Sequence, residues 1–143
     1  MNNNKLTPET KEYIDLFYEP KVSAYKFLKV FFAVLYENGI RDISRDLVAF
    51  FSGIKQEEKY GEIMHEIKFR SNGIFQYSDE LEDNIFMLQN MGLLGKENPS
   101  FGVILIKYSD EITKKILAEV PPEQLSLIKE IADRYTVENS SCK

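Results

Sequence analysis

The stretch that decides the fold runs from Tyr77 to Leu117 and reads YSDELEDNIFMLQNMGLLGKENPSFGVILIKYSDEITKKIL. Its first third carries apolar residues at helical spacing and ends at Gly92, a residue suited to helix termini. Leu93-Leu94 and the β-branched run 101–106 predict two short strands with a proline-containing turn between them. Ser109 then predicts the capped start of another helix. The stretch therefore predicts a helix, a small β-hairpin and a second helix.

This order of elements resembles the second half of winged-helix proteins. Three segments carry the resemblance: Leu88-Gln89-Asn90-Met91-Gly92-Leu93-Leu94, then Val103 to Lys107, then Ser109-Asp110-Glu111. Winged-helix domains commonly place Gly-Leu-Leu or Gly-Leu-Ile before a hairpin whose last strand enters a capped helix. The resemblance covers about residues 21–118 and implies a winged-helix-like core. It also implies a function in DNA binding or protein docking, since few winged-helix domains are enzymes.

The residues before this stretch predict further helices. Thr7-Pro8 suits a helix start, so residues 1–20 are predicted to form an N-terminal arm or helix. Residues 21–38 carry apolar side chains on a wide face and predict a central core helix that ends at Gly39. A third helix is predicted to end near Ser52 because Gly53 would break it. A fourth is predicted from Glu57 to Phe69, and in a helix-turn-helix this pair would be the positioning and recognition helices.

Length and composition predict one compact domain. The 143 residues are 43% hydrophobic and 13% aromatic, which is enough to form a core and excludes a globally disordered chain. The predicted fold class is mainly α (α+β), winged-helix-like, with a small β-hairpin and extra terminal helices. Residues 119–137 are predicted to form a C-terminal helix, and residues 138–143 a frayed tail.

Charge is distributed unevenly along the chain. Residues 1–76 contain eleven Lys and Arg against eleven Asp and Glu, whereas residues 77–143 contain seven against twelve. The net charge of −5 therefore lies entirely in the second half. DNA-binding domains usually carry a basic excess, so this acidic half argues against wide contact with duplex DNA. It suits either a partner with a basic surface or simply solubility.

Cysteine and histidine are too few for a structural metal site or a disulfide. The chain has one Cys, Cys142, and one His, His65. A structural zinc site needs several such ligands, so no metal and no cofactor is predicted. The polar N-terminus lacks the apolar core of a signal peptide, and no apolar run is long enough to cross a membrane. A cytoplasmic protein without membrane association is therefore expected.

The best nucleic-acid candidates are cations between the predicted recognition helix and the wing turn. They are Lys55, Lys59, Lys68, Arg70 and Lys96, with Lys107 as a further cation nearby. Positive side chains at these positions could contact phosphates. Acids are interleaved with them, and helical spacing predicts that Glu62 pairs with Lys59 and that Glu66 pairs with Arg70.

The clearest acidic cluster begins the helix after Tyr77. It comprises Asp79, Glu80, Glu82 and Asp83. Carboxylates there complement the positive end of the helix dipole, so a structural role accounts for their presence. The functional alternative is an acidic patch that imitates phosphate towards a basic partner.

Catalytic patterns are missing from the sequence, so no catalytic residue is predicted. Gly92-Leu93-Leu94-Gly95 does not match a Walker loop, and no Ser or Cys has an activating histidine in a recognised motif. His65 lies beside an apolar stripe and is predicted to be structural, with a catalytic base or pH sensor as the alternative. A carboxylate enzyme would require Glu62 or Glu66 to meet other acids in a pocket.

The leading prediction is a small cytoplasmic, non-enzymatic regulatory protein of the winged-helix type with nucleic-acid binding. A homodimer joined by the terminal helices would then supply enough phosphate contacts. The alternative is an acidic inhibitor that binds a protein, such as an antitoxin or a phage-type inhibitor of a nucleic-acid enzyme. The two hypotheses differ in which charge forms a continuous face.

Overall fold

The computed structural model describes residues 22–43, 46–95 and 104–141, with side chains described as far as residue 138. These residues form six α-helices and four short strands. In chain order they are α1 Ala24–Glu37, β1 Asp42–Ile43, α2 Leu47–Lys55, α3 Glu58–Gly61, β2 Arg70–Ser71, β3 Gln76–Tyr77, α4 Asp79–Asn90, β4 Ile104–Leu105, α5 Asp110–Ala118 and α6 Pro122–Ser141. The predicted class, mainly α with a small antiparallel sheet, is confirmed. The predicted N-terminal helix and the wing turn with Lys96 lie outside the described residues.

Helix α1 forms the centre of the fold. Its N-cap is Ser23, whose Oγ accepts a hydrogen bond from the Lys26 backbone N–H at 3.1 Å. Nine of its fourteen residues are buried, and it packs against α4, α5 and α6. The helix ends at Glu37 with Asn38 as its C-cap. Gly39 follows with a φ of 90°, which suits glycine, and the Ile40 N–H reaches back to the Leu35 carbonyl at 2.9 Å. The prediction of a central core helix is confirmed.

The core is rich in aromatic rings around Phe31. The Phe31 ring centroid lies 4.8 Å from that of Phe51 and 5.9 Å from that of Tyr135, both edge to face. Phe50 packs edge to face on Tyr135 at 5.0 Å. These contacts join α1 and α2 to α6, which lies far along the chain, into one core.

The larger sheet brings three segments together. Strand β4 pairs antiparallel with β1, with Asp42 opposite Leu105, and on its other side Leu94 forms an antiparallel bridge with Ile106. The Gly95 N–H donates to the Leu105 carbonyl at 2.7 Å. A Cβ at Gly95 would lie 2.9 Å from the Leu105 Cβ, so this close approach needs glycine. The predicted pairing of residues 93–94 with the run 101–106 is present, and β1 is an additional strand that the sequence did not predict.

A second hairpin, β2–β3, precedes α4. Arg70 lies opposite Tyr77 and Ser71 opposite Gln76. Asn72 closes the turn, since its Oδ1 accepts hydrogen bonds from the N–H groups of Ile74 at 2.9 Å and Phe75 at 3.0 Å. The sequence predicted this turn but not its strands.

The predicted helix from Glu57 to Phe69 is wrong for most of its length. Only Glu58–Gly61 is helical, and residues 62–66 form turns before the chain extends. Tertiary contacts explain the difference: Glu66 Oε1 accepts a hydrogen bond from the Ala24 N–H at 2.9 Å, and the Lys55 ammonium donates to the Ile67 carbonyl. Helix α3 and the residues after it bury the apolar set Tyr60, Ile63, Met64 and Ile67.

Two helix ends also differ from their predictions. Helix α2 continues through Gly53 to Lys55, so this glycine does not break it. Helix α6 continues to Ser141, beyond the predicted end at residue 137. Among the described residues, every helix is too short or too polar to cross a membrane.

Candidate functional site

Helix α4 is fixed at its start by a buried serine. Ser78 is the N-cap, and its Oγ accepts a hydrogen bond from the Leu81 N–H at 3.2 Å. Leu81 and Leu88 are buried against the core, and α4 packs on α1. One face of α4 is therefore held inward, and the opposite face points away from the core.

That opposite face combines exposed acids with exposed apolar side chains. Asp79, Glu82 and Asp83 are exposed in its first half. Phe86 and Met87, about one turn further along, are 60% and 47% exposed. We call these five residues the α4 outer face. Sequence reasoning singled out its acids, but not its apolar half.

Met91 extends the apolar end of this surface. It is the C-cap of α4 and is 55% exposed. The Tyr25 hydroxyl from α1 donates to its Sδ at 3.2 Å, so the thioether is held beside the end of the outer face. Large apolar side chains that remain exposed in a cluster are typical of interaction surfaces.

Glu80, the fourth predicted acid, has a different position. Its Oε1 accepts hydrogen bonds from the Lys68 N–H at 3.2 Å and from Arg70 Nη1 at 3.4 Å. Burial acts to raise the pKa of Glu80, but backbone hydrogen bonds and Arg70 outweigh it and hold the pKa below its ordinary value. Glu80 therefore ties α4 to the β2–β3 hairpin and does not belong to the outer face.

The predicted nucleic-acid cations do not form one basic surface among the described residues. Lys59 Nζ contacts Glu130 Oε1 on α6 at 2.7 Å. Arg70 instead lies at the start of α4, 3.7 Å from Asp79 and 3.4 Å from Glu80. These two cations face different elements, and each is paired with a carboxylate. The predicted pairs Glu62–Lys59 and Glu66–Arg70 are replaced by these long-range partners.

Two other cations gather near Arg70. The Lys55 ammonium donates to the Ile67 carbonyl, and Lys68 is exposed nearby. Burial lowers the pKa of Lys55, and the positive charge of Lys68 lowers it further. Lys55, Lys68 and Arg70 thus form a small basic group around Glu80, and Lys96 lies outside the described residues.

A groove lies between α2 and α6. Its volume is about 480 Å³, and its lining residues are Asp46, Ala49, Phe50, Gly53, Ile54, Glu57, Arg134 and Glu138. The Arg134 guanidinium forms an ion pair with the Glu57 carboxylate across one end. Sequence reasoning missed this groove because its two walls are about eighty residues apart in the chain. The glycine inside α2 was the one signal of it in the sequence.

The residues considered for chemistry, His65, Glu62 and Glu66, all lie in the turns after α3. His65 is exposed in the turn after α3, and its backbone N–H donates to the Glu62 carbonyl at 3.1 Å. Glu66 holds the start of α1. In the part of the chain that the structure describes, no group of three or more His, Cys, Asp or Glu side chains is placed to hold a metal ion.

Comparison with known proteins assigns a function to neither surface. No protein-family model, no curated protein sequence and no solved structure matches the chain. The α4 outer face and the α2–α6 groove are therefore the features on which a functional proposal rests.

Proposed function

We propose that the chain is a small cytoplasmic, non-enzymatic regulatory protein of the winged-helix type that docks a basic protein partner through the α4 outer face. One observation carries this proposal: exposed carboxylates and exposed apolar side chains share one face of one helix. Protein interfaces combine an apolar centre with charges that match the partner. Phe86 and Met87 would form that centre, and Asp79, Glu82 and Asp83 would face lysines or arginines of the partner.

The order of elements supports the winged-helix part of the proposal. Helix α1, strand β1 and helix α2 are followed, after the short α3 and the β2–β3 hairpin, by α4, the Leu94 bridge and β4. Strand β4 lies between β1 and Leu94 in one small sheet. A helix-turn-helix presents its second helix to its partner. In this chain α4 would take that place, instead of the segment from Glu57 to Phe69.

Charge favours a protein partner over a nucleic acid at this helix. DNA is polyanionic, and contacts to its phosphates supply much of the affinity of its binding proteins. A helix that presents Asp79, Glu82 and Asp83 would be repelled from phosphates. The same carboxylates would attract a basic protein surface and speed its association.

The test is capture from a host extract with matched charge-reversal variants. Glu82→Lys plus Asp83→Lys changes the outer face, whereas Glu37→Lys plus Glu119→Lys makes the same change in net charge at other exposed sites. We expect the wild type and the control variant to retain one shared partner. The outer-face variant and Phe86→Ser should bind that partner, once purified, at least about tenfold more weakly.

The proposal fails if the outer-face variants retain the partner as well as the wild type does. It also fails if the control variant loses the partner equally, because the effect would then be one of net charge alone. Every substituted side chain is exposed, so all four proteins should stay folded. The outer-face charge variant should melt somewhat lower because Glu82 lies in the first turn of α4, whereas the control charges lie at helix C-termini and should not lower the melting temperature. Binding is therefore compared at a temperature at which all four proteins are folded.

Nucleic-acid binding is a second candidate, and the basic group of Lys55, Lys68 and Arg70 supports it. These cations lie close enough for the Lys68 charge to lower the pKa of Lys55. Three cations, one of them paired with acids, offer few phosphate contacts. A homodimer joined by the terminal helices would double their number.

A further inference from the structure

The α2–α6 groove is an open cleft with an apolar floor and a charged rim. Its volume of about 480 Å³ falls within the range of sites that enclose small ligands or side chains of a partner. Phe50 and Ile54 form an apolar floor, and Glu57 and Arg134 form a charged rim. None of its lining residues belongs to α4, so the groove is a separate surface from the α4 outer face.

Gly53 borders the groove from inside helix α2. It lies inside helix α2 and lacks the positive φ that would require a glycine. A Cβ added there would meet no atom within 4 Å, so packing among the described residues does not require glycine either. A glycine in the interior of a helix makes the helix less stable than an alanine would. Gly53 and Ala49, one turn earlier, both line the groove. Because Gly53 has no side chain, it leaves space there.

The charges around the groove favour a cation. Three carboxylates, those of Asp46, Glu57 and Glu138, line it together with the single guanidinium of Arg134. The ion pair with Glu57 already offsets the charge of Arg134, and Arg134 Nη2 also donates to Glu57 Oε1 at 3.3 Å. The lining is therefore acidic overall, beside an apolar floor.

We propose that this groove binds a short segment of a partner protein that presents a large apolar side chain next to a lysine or arginine. The apolar side chain would lie on Phe50 and Ile54, in the space above Gly53. The neighbouring cation would reach the carboxylate of Asp46, whose Oδ1 also caps α2 by accepting hydrogen bonds from the N–H groups of Val48 and Ala49. Lysine and arginine suit such a site because their aliphatic stems cover apolar surface while the charged end meets the acids.

The experiment titrates the uniformly ¹⁵N-labelled full chain with two small probes, acetyl-Phe-Arg-amide and acetyl-Phe-Glu-amide. We expect the arginine probe to shift the amide signals of Ala49, Gly53 and Ile54 in a saturable way. The glutamate probe should bind at least about tenfold more weakly, because it brings a negative charge to an acidic lining. The signals of Phe86 and Met87 on α4 should not change.

A blocking variant tests the position of the site. Gly53→Leu fills the groove and adds a better helix former, so its melting temperature should equal or exceed that of the wild type. We expect it to lose at least about tenfold in affinity for the arginine probe. Glu82→Lys plus Asp83→Lys, the change on α4, should leave this affinity unchanged.

Three results would overturn the proposal. The first is an absence of saturable shifts with either probe, and the second is equal binding of the two probes. The third is a clear fall in the melting temperature of Gly53→Leu, which would mean that the groove is already filled in the free chain. Each of these results concerns the groove alone and leaves the α4 proposal to its own test.

Discussion

Phe31 and Phe86 are the same residue type in opposite environments. Phe31 is fully buried among aromatic rings, whereas Phe86 is 60% exposed on the α4 outer face. We expect Phe31→Ala to lower the free energy of unfolding by about 3–5 kcal/mol, because it leaves a cavity in the core. Phe86→Ala should change it by less than about 0.5 kcal/mol. Urea denaturation of both variants measures the difference, and similar losses would contradict the burial of one and the exposure of the other.

Tyr108 gives a prediction about pH. It is buried, and its hydroxyl donates to the Lys29 carbonyl of α1 at 2.7 Å. Burial raises the pKa of Tyr108 well above its ordinary value. The folded state therefore keeps a proton that the unfolded state loses near pH 10, so the stability from this group is present below about pH 10 and falls as the pH rises further.

Tyr108→Phe separates this contribution from the rest. At neutral pH it should lower the free energy of unfolding by about 1 kcal/mol, since the Lys29 carbonyl loses a hydrogen bond. Above about pH 10 the stability of the variant should fall less steeply than that of the wild type. Chemical denaturation at a series of pH values measures both, and parallel curves would show that Tyr108 ionises as easily in the folded chain as in the unfolded one.

The position of α4 depends on its N-cap. Ser78→Ala removes the acceptor for the Leu81 N–H and should lower the free energy of unfolding by about 1 kcal/mol. Ser78→Thr keeps a hydroxyl and is the matched control, expected to lose less. Thermal unfolding of the two variants provides the comparison. An equal loss in both would mean that the tight packing around residue 78, and not the cap, holds the start of the helix.

Elements with strong local signals were predictable from the sequence. The apolar face of α1, the cap before α4 and the cap before α5 all come from neighbouring residues, and Ser78 and Ser109 each accept the expected backbone hydrogen bond. The cap of α1, Ser23, was not predicted. The segment from Glu57 to Phe69 was not predictable in this way. Its turns are set by contacts with Ala24 and Lys55, which no local pattern reveals. Strand β1 has two residues and depends on β4, far along the chain.

The candidate surfaces, too, were predictable only where the signal is local in the sequence. The acids of the α4 outer face form a cluster in the sequence. The exposure of Phe86 and Met87 became evident only when the fold showed which side of α4 faces the core. The cations suggested one binding surface, and long-range partners such as Glu130 separated them. The α2–α6 groove required the pairing of two distant helices, which the sequence does not specify.

At the scale of the whole molecule, the uneven charge gives a prediction about DNA. The second half of the chain carries the whole net charge of −5 and includes α4. We expect fluorescence anisotropy with a mixed-sequence duplex to show no binding at physiological salt. Any weak binding at low salt should not change in Lys68→Gln plus Arg70→Gln. Strong, salt-sensitive binding that this variant abolishes would instead support the nucleic-acid candidate.

The central claim is that the α4 outer face is where a protein partner binds, and methionine methyl groups can test it directly. The chain has four methionines. Met87 and Met91 lie exposed along α4, whereas Met64 is buried in the core and serves as an internal control. The measurement is the NMR spectrum of the chain with ¹³C-labelled methionine methyls, with and without the captured partner. We predict that the Met87 and Met91 signals shift or broaden while Met64 stays in place; unchanged Met87 and Met91 signals in a saturated complex would contradict the claim.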